Sequence, residues 1–347
     1  RACECRTLLA TSTVNPRHPL PASHLALVGA AAGAAVSSTV PSWREAIAQA
    51  LRAFLVVLHD TLWIAWLKIE FGARVQRVAG LPAAVIMKTW GFGPESVAAE
   101  RAFYFGMTAP LLEERGVTCV RLCGNARGGS PRAFARAVLS RGGRAVPEWM
   151  LIPLWAPLAT LGAQVLTSLR LRRHAARAAD PALARVARRT AVECLGPETL
   201  RTALYYHIAK QAVARWRPRV FLALYEGQPW EIPARHGVRA ASPGCVTVGY
   251  QHTVIMPHSF SLLRPHAGSW ELSAPEVVLC LGEVTKAMMQ PGHAPHRARL
   301  VPFGSFRRTL ASSAPASPRP GRRTVLVLPE GIRSEAILLF DFATRAA

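Results

Sequence analysis

The sequence predicts an α/β protein built on a mainly parallel sheet. Three observations carry that expectation. Short apolar runs recur along the chain, helical stretches separate them, and polar residues gather where the apolar runs stop. Strands alternating with helices favour parallel pairing, and such sheets bind ligands at the carboxyl ends of their strands.

Residues 1–80 read as an irregular and helical amino-terminal region. Ser42, with Glu45 three residues later, forms a capping box, and a long amphipathic helix is expected to follow to Val75. His59, Asp60, Lys68 and Glu70 interrupt its apolar run, so it reads as a packed helix and not a span.

An α/β domain is expected over 81–310. Ala83 to Met87 reads as a buried strand with Lys88 at its end, Glu95 to Glu114 as helix, and Val117 to Leu122 as the next strand. Gly116 supplies the helix stop between them. Arg132 to Arg141 suits a surface helix. Trp149 to Leu169 carries no charge, is long enough to span a bilayer and is followed by Arg170, Arg172 and Arg173, but Pro153 and Pro157 sit in its first half. A buried helix, an interfacial helix and a span are all open here. Pro181 to Trp216 is helical, broken at Gly196 and Pro197. Arg219 to Tyr225, Cys245 to Tyr250, Glu276 to Leu281 and Arg299 to Pro302 read as strands; Trp230 to His236 and Glu283 to Gln290 read as helices.

Residues 311–323, rich in Ser, Pro and Arg, form the expected linker. Beyond it, over 324–347, Thr324 to Leu328, the turn at Pro329 to Gly331 and a helix from Ser334 give one βα unit of a second α/β domain. The chain opens at Arg1 without Met and stops at Ala347, so both ends read as cut and that second domain as truncated.

The chain has 347 residues, half of them hydrophobic, and a formal charge of +22. That excess points to anionic partners: phosphorylated substrates, an anionic membrane surface or nucleic acid. Lys is scarce and the Arg sits in Ala-rich runs, without the interleaved aromatics of a nucleic-acid surface, so nucleic acid is not expected. The seven cysteines (Cys3, Cys5, Cys119, Cys123, Cys194, Cys245 and Cys280) show no paired CxxC spacing. Reduced thiols in the cytoplasm are expected, with neither disulfides nor a metal site. No GxGxxG, GxxxxGK[ST] or GxSxG motif occurs, so dinucleotide, P-loop and α/β-hydrolase chemistry gain no support and no cofactor is expected.

Lys88, Glu226, Gln228, His252 and Glu283 each follow an apolar run. The densest cluster is Tyr225 to Glu231. A carboxylate held after a strand, with Gly227 allowing close approach, can act as a general base. Equally, Glu226 or Glu231 can cap the helix that follows. His252 at the next strand end can donate to a phosphate or shuttle a proton, or be a satisfied structural histidine. Glu330 and Gly331, before a helix, could face a donor phosphate.

The runs YEGQPWE, at Tyr225 to Glu231, and VGYQHTVI, at Val248 to Ile255, resemble a family of bacterial surface-carbohydrate biosynthesis proteins, GT-B-like glycosyltransferases of capsule and O-antigen clusters. Gly227 stands where that pattern has Asn. IMKTW at Ile86 to Trp90, YFG at Tyr104 to Gly106, VLCLGEVTKAMM and VPFGSFR, within Val278 to Arg307, agree in order and spacing. The resemblance covers about residues 83–340. It implies sugar transfer from a nucleotide donor, held by the carboxy-terminal domain, to a lipid-linked or oligosaccharide acceptor on the amino-terminal one. Glu226 or Glu231 would be the base, and His252 would steady the donor phosphate. Lys88, Gly227, Gln228, Trp230, Gln251, Gly282, Glu283 and Arg307 would line the substrate site, without a required metal. It further implies a cytoplasmic protein in peripheral contact with the inner face of an anionic membrane. The competing expectation is a non-catalytic assembly protein of the same pathway.

Overall fold

The apolar runs become strands of a single sheet. The computed structural model describes residues 42–80, 82–91, 104–126, 130–140, 144–253, 255, 262, 274–293, 298–306 and 333–346. Its strands are β1 (Val85–Gly91), β2 (Cys119–Asn125), β3 (Ala145–Pro147), β4 (Val220–Leu224), β5 (Val246–Tyr250), β6 (Val277–Cys280) and β7 (Arg299–Pro302). They lie in the order β3-β2-β1-β4-β5-β6-β7, and every neighbouring pair is parallel. The chain winds one way from β1 to β3 and the other way from β4 to β7. The order therefore reverses between β1 and β4, the position at which doubly wound sheets open a crevice. This is a Rossmann-like α/β fold.

One strand differs from expectation, and one, β3, has no counterpart in the sequence reading. β1 runs on through Lys88, Thr89 and Trp90 to Gly91, pairing with β2 as far as Asn125. Thr and Trp are good strand formers, and a buried partner for Lys88 removes the reason to stop. β3 is only three residues long, pinned by its register with Arg121, Leu122 and Cys123.

Helices cover the sheet, as buried parallel strands require. They are α1 (Trp43–Ala79), α2 (Thr108–Glu114), α3 (Pro131–Ser140), α4 (Ala156–Arg177), α5 (Pro181–Glu193), α6 (Pro197–Ala203), α7 (Tyr205–Trp216), α8 (Glu231–Ala241) and α9 (Glu283–His293), with a 3-10 turn at Glu148–Leu151. Ser42 Oγ accepts the Glu45 backbone N–H at 3.2 Å and caps α1. The Glu45 carboxylate pairs with Arg189 of α5 at 2.9 Å. Gly196 and Pro197 separate α5 from α6, with Gly196 as the N-cap and Pro197 in the first turn.

α1 does not stand apart in a separate amino-terminal region. Ala53, Val57, Ile64, Leu67, Phe71 and Val75 enter the same core as β1, β2 and β4. Its opposite face is exposed, so the long helix is packed on one side only. α4 is likewise half-buried: Ala156, Thr160, Leu161, Gln164 and Ser168 face inward, while Leu158, Val165, Leu166 and Leu169 face outward.

Contacts divide the chain into two units, Arg1–Arg307 and Arg308–Ala347. The described part of the second is the helix α10 (Arg333–Ala346). The expected linker at 311–323, the strand at 324–328 and the first part of the helix expected from Glu95 lie outside the described residues.

Candidate active site

Leu224, the last residue of β4, is paired with Tyr250, the last residue of β5. Glu226 and His252 each lie two residues further on, so the register sets them side by side at the carboxyl rim of the sheet. A Glu226 carboxylate oxygen, Oε1, meets Nε2 of His252. Their side chains are 18% and 5% exposed, respectively. Thus Glu226 is the member of the pair open to solvent. With Nε2 turned to the carboxylate, His252 is placed to orient Glu226.

Glu231 stands differently. Its Oε1 accepts the backbone N–H groups of Glu226, at 2.8 Å, and Gln228, at 3.1 Å. Its Oε2 meets Arg235 at 3.4 Å, and the side chain is 1% exposed. Burial pushes its carboxyl pKa upward, opposed by Arg235 and by the two N–H groups. Both oxygens are occupied inside the protein, so Glu231 folds the loop on which Glu226 sits. Gly227 between them has φ of +77°. Only Gly and, at some cost, Asn or Asp adopt that left-handed conformation readily, which accounts for Gly here.

Gln228 is exposed at the same rim. Gln251 is fully buried; its Oε1 accepts the Leu281 N–H at 3.3 Å and its amide donates to the Thr253 carbonyl, tying the end of β5 to that of β6. It therefore supports the rim from within. Glu283 is exposed in the first turn of α9 and pairs with Lys286 at 3.2 Å. The Gly282 N–H bonds Thr285 Oγ1 at 3.1 Å, which closes the start of that helix. Arg307, Glu330 and Gly331 lie outside the described residues.

Aromatic rings support His252. The Tyr104 ring lies 4.7 Å and the Tyr250 ring 5.7 Å from the imidazole, centroid to centroid. Tyr250 OH accepts the Phe306 N–H at 3.1 Å, and Phe105 packs on both Tyr250 and Phe306. Gly106, with φ of +52°, lets this layer close: a Cβ there would fall 2.2 Å from the Phe306 carbonyl oxygen. The YFG and VPFGSF segments, far apart in sequence, thus meet under the imidazole.

Lys88 and Trp230 are both buried. Lys88 lies within β1, and its ammonium sits 3.0 Å from Glu148 Oε2, both side chains being 1% exposed. Trp90 lies 3.4 Å and Trp230 5.1 Å from the Lys88 nitrogen, and Tyr205 OH donates to Glu148 Oε1 at 2.7 Å. Burial lowers the Lys88 pKa, opposed by Glu148. The same burial, reinforced by Glu148, raises the Tyr205 phenol pKa well above its ordinary value. This group sits next to the strand-order reversal and is closed to solvent. It props the sheet from inside. Sequence reasoning missed Glu148 and Tyr205 because each lies within a run that reads as helix or loop, with nothing to link it to Lys88.

Trp230, Glu231 and Arg235 also line a void between α8 and the β4–β5 face, enclosing at most 240 Å³. That is below the roughly 300–1,000 Å³ of ligand pockets. Among the described residues no three His, Cys, Asp or Glu side chains gather as metal ligands. Cys119, Cys123, Cys194, Cys245 and Cys280 are free and buried.

No family model, curated protein or solved structure matches this chain.

Proposed function

We propose that the chain carries the acceptor side of a GT-B-type glycosyltransferase that builds a surface polysaccharide. The single observation that supports this reading most is the Glu226–His252 pair at the carboxyl rim of β4 and β5, one strand from the reversal of the sheet. Carboxylate and imidazole stand where open parallel sheets present catalytic groups. The six sequence segments that resemble the glycosyltransferase family also fall on β1, on the layer beneath His252 and on the ends of β4, β5, β6 and β7.

In this reading the acceptor hydroxyl lies against Glu226, which takes its proton as the oxygen attacks the anomeric carbon of the donor sugar. The bond from that carbon to the diphosphate oxygen breaks, and the nucleoside diphosphate departs with the bonding electron pair. His252 orients the carboxylate, and Glu231 fixes the backbone at Glu226 and Gln228. A general base of this kind contributes about 10²–10⁴-fold to rate. The nucleotide sugar is the donor, a lipid-linked saccharide or oligosaccharide the acceptor, and no cofactor enters the scheme. The site of action is the cytoplasmic face of the membrane.

The test is nucleoside diphosphate release by the protein expressed from its whole gene, donor-side domain included, with membranes as acceptor source, across UDP-, GDP- and dTDP-sugars. Turnover with at least one donor, lost in Glu226→Gln, is expected. Release that is equal in wild type and Glu226→Gln contradicts the assignment.

A second reading, a non-catalytic membrane-associated assembly protein, is favoured by the exposed apolar faces of α1 and α4. It predicts no donor turnover at all, with loss of the chain still reducing polymer output.

A further inference from the structure

The helix faces turned away from the core carry apolar side chains where a surface helix is ordinarily polar. On α1, Ile47, Leu51, Leu55, Leu58, Leu62 and Ile69 are 47–85% exposed. Their spacing of three, four and seven residues places them on one side of the helix, opposite Ala53, Val57, Ile64 and Leu67. On α4, Trp155, Leu158, Val165, Leu166 and Leu169 repeat the arrangement at 40–61% exposure.

These helices are antiparallel neighbours. Leu171, near the end of α4, and Ala50, near the start of α1, pack against one buried cluster that includes Ala46. At the other end, Lys68 of α1 donates to the Ile152 carbonyl, just before α4, at 2.6 Å. The two apolar stripes therefore run at the same level along adjacent helices. Exposed apolar stripes on neighbouring helices mark an interaction site.

Charge identifies the partner. α4 contains no acidic residue, and its apolar stripe ends in the exposed Arg170, Arg172, Arg173 and Arg177. The acidic residues of α1 are turned aside into ion pairs: Glu45 with Arg189, Asp60 with Arg201, and Glu70 with Arg132. An apolar face edged by arginine and cleared of carboxylates is complementary to acyl chains beneath anionic headgroups. The net charge of +22 adds long-range attraction to the same surface.

We infer that the outer faces of α1 and α4 dock on an anionic lipid bilayer, with the leucines and Trp155 in the headgroup–acyl boundary and Arg170, Arg172, Arg173 and Arg177 against the headgroups. The helices lie in the plane of the bilayer. Their inner faces stay in the protein core, so neither helix crosses.

Vesicle flotation of the full chain tests this, using phosphatidylcholine alone and phosphatidylcholine with about one-third phosphatidylglycerol. The chain is expected to float with the anionic vesicles and to be released by high salt. Leu55→Glu/Leu62→Glu and Arg170→Glu/Arg173→Glu each alter exposed positions, and each is expected to weaken flotation about tenfold or more with an unchanged circular dichroism spectrum. Failure of the wild type to float, or flotation of both variants like wild type, overturns the inference. So does a lipid-free dimer that Leu55→Glu/Leu62→Glu turns into monomers without altering flotation, because the stripe would then belong to a second copy. Glu226→Gln is expected to float like wild type, so docking and transfer chemistry stand or fall separately.

Discussion

The Lys88 ammonium lies 3.0 Å from Glu148 Oε2, with both side chains 1% exposed, at the heart of the sheet. Removing one member of a buried pair strands the other charge, which costs about 3–5 kcal/mol, whereas removing both together costs far less. Lys88→Met is therefore expected to destabilise the protein by that amount. Lys88→Met/Glu148→Gln is expected to recover most of the loss, since the amide oxygen of the introduced glutamine would still accept from Tyr205. Urea unfolding of the two variants measures the difference.

Glu231→Ala removes the acceptor for two backbone N–H groups and leaves Arg235 without its carboxylate. Unsatisfied buried donors cost about 1–3 kcal/mol, so a stability loss of about 3 kcal/mol is expected, with donor turnover falling because the Glu226 loop loses its anchor. Glu226→Gln, at a more open position, is expected to cost under about 1 kcal/mol. Equal thermal losses in the two variants would contradict this division of roles.

Five thiols are buried. Burial pushes Cys119 and Cys194 up to about 12 and Cys123 and Cys245 up to about 11. At pH 8 the folded chain is expected to titrate no more than two of its seven thiols with a disulfide reagent, and all seven in guanidinium. A raised thiol pKa contributes stability that is whole below its ordinary value of 9.0 and is lost as pH rises toward the folded value. The stability advantage of wild type over Cys119→Ala is accordingly expected to shrink between pH 9 and pH 11.

The strands were largely legible because buried parallel strands are apolar runs, and Arg299–Pro302 falls where its sequence places it. The length of β1 was not. A lysine reads as the end of an apolar run, and only Glu148, 60 residues downstream and placed by the three-residue β3, makes its burial tolerable. The convergence of Glu226 and His252 was anticipated from their positions after strands, whereas their direct contact depends on the Leu224–Tyr250 register, which no local pattern encodes. Glu231 satisfied both the base and the cap reading; its hydrogen bonds go instead to the backbone N–H groups of Glu226 and Gln228 in the loop before the helix, a role that no local pattern announces. For α1 the helical period was visible, but with apolar residues on both sides the sequence did not say which side packs.

Polysaccharide output in cells that express the chain, with Glu226→Gln introduced at its own gene, bears most directly on the central proposal. Loss of surface polymer, with the variant protein present at wild-type level and melting at the wild-type temperature, is the predicted result. Polymer of normal amount and length from that same strain would contradict it.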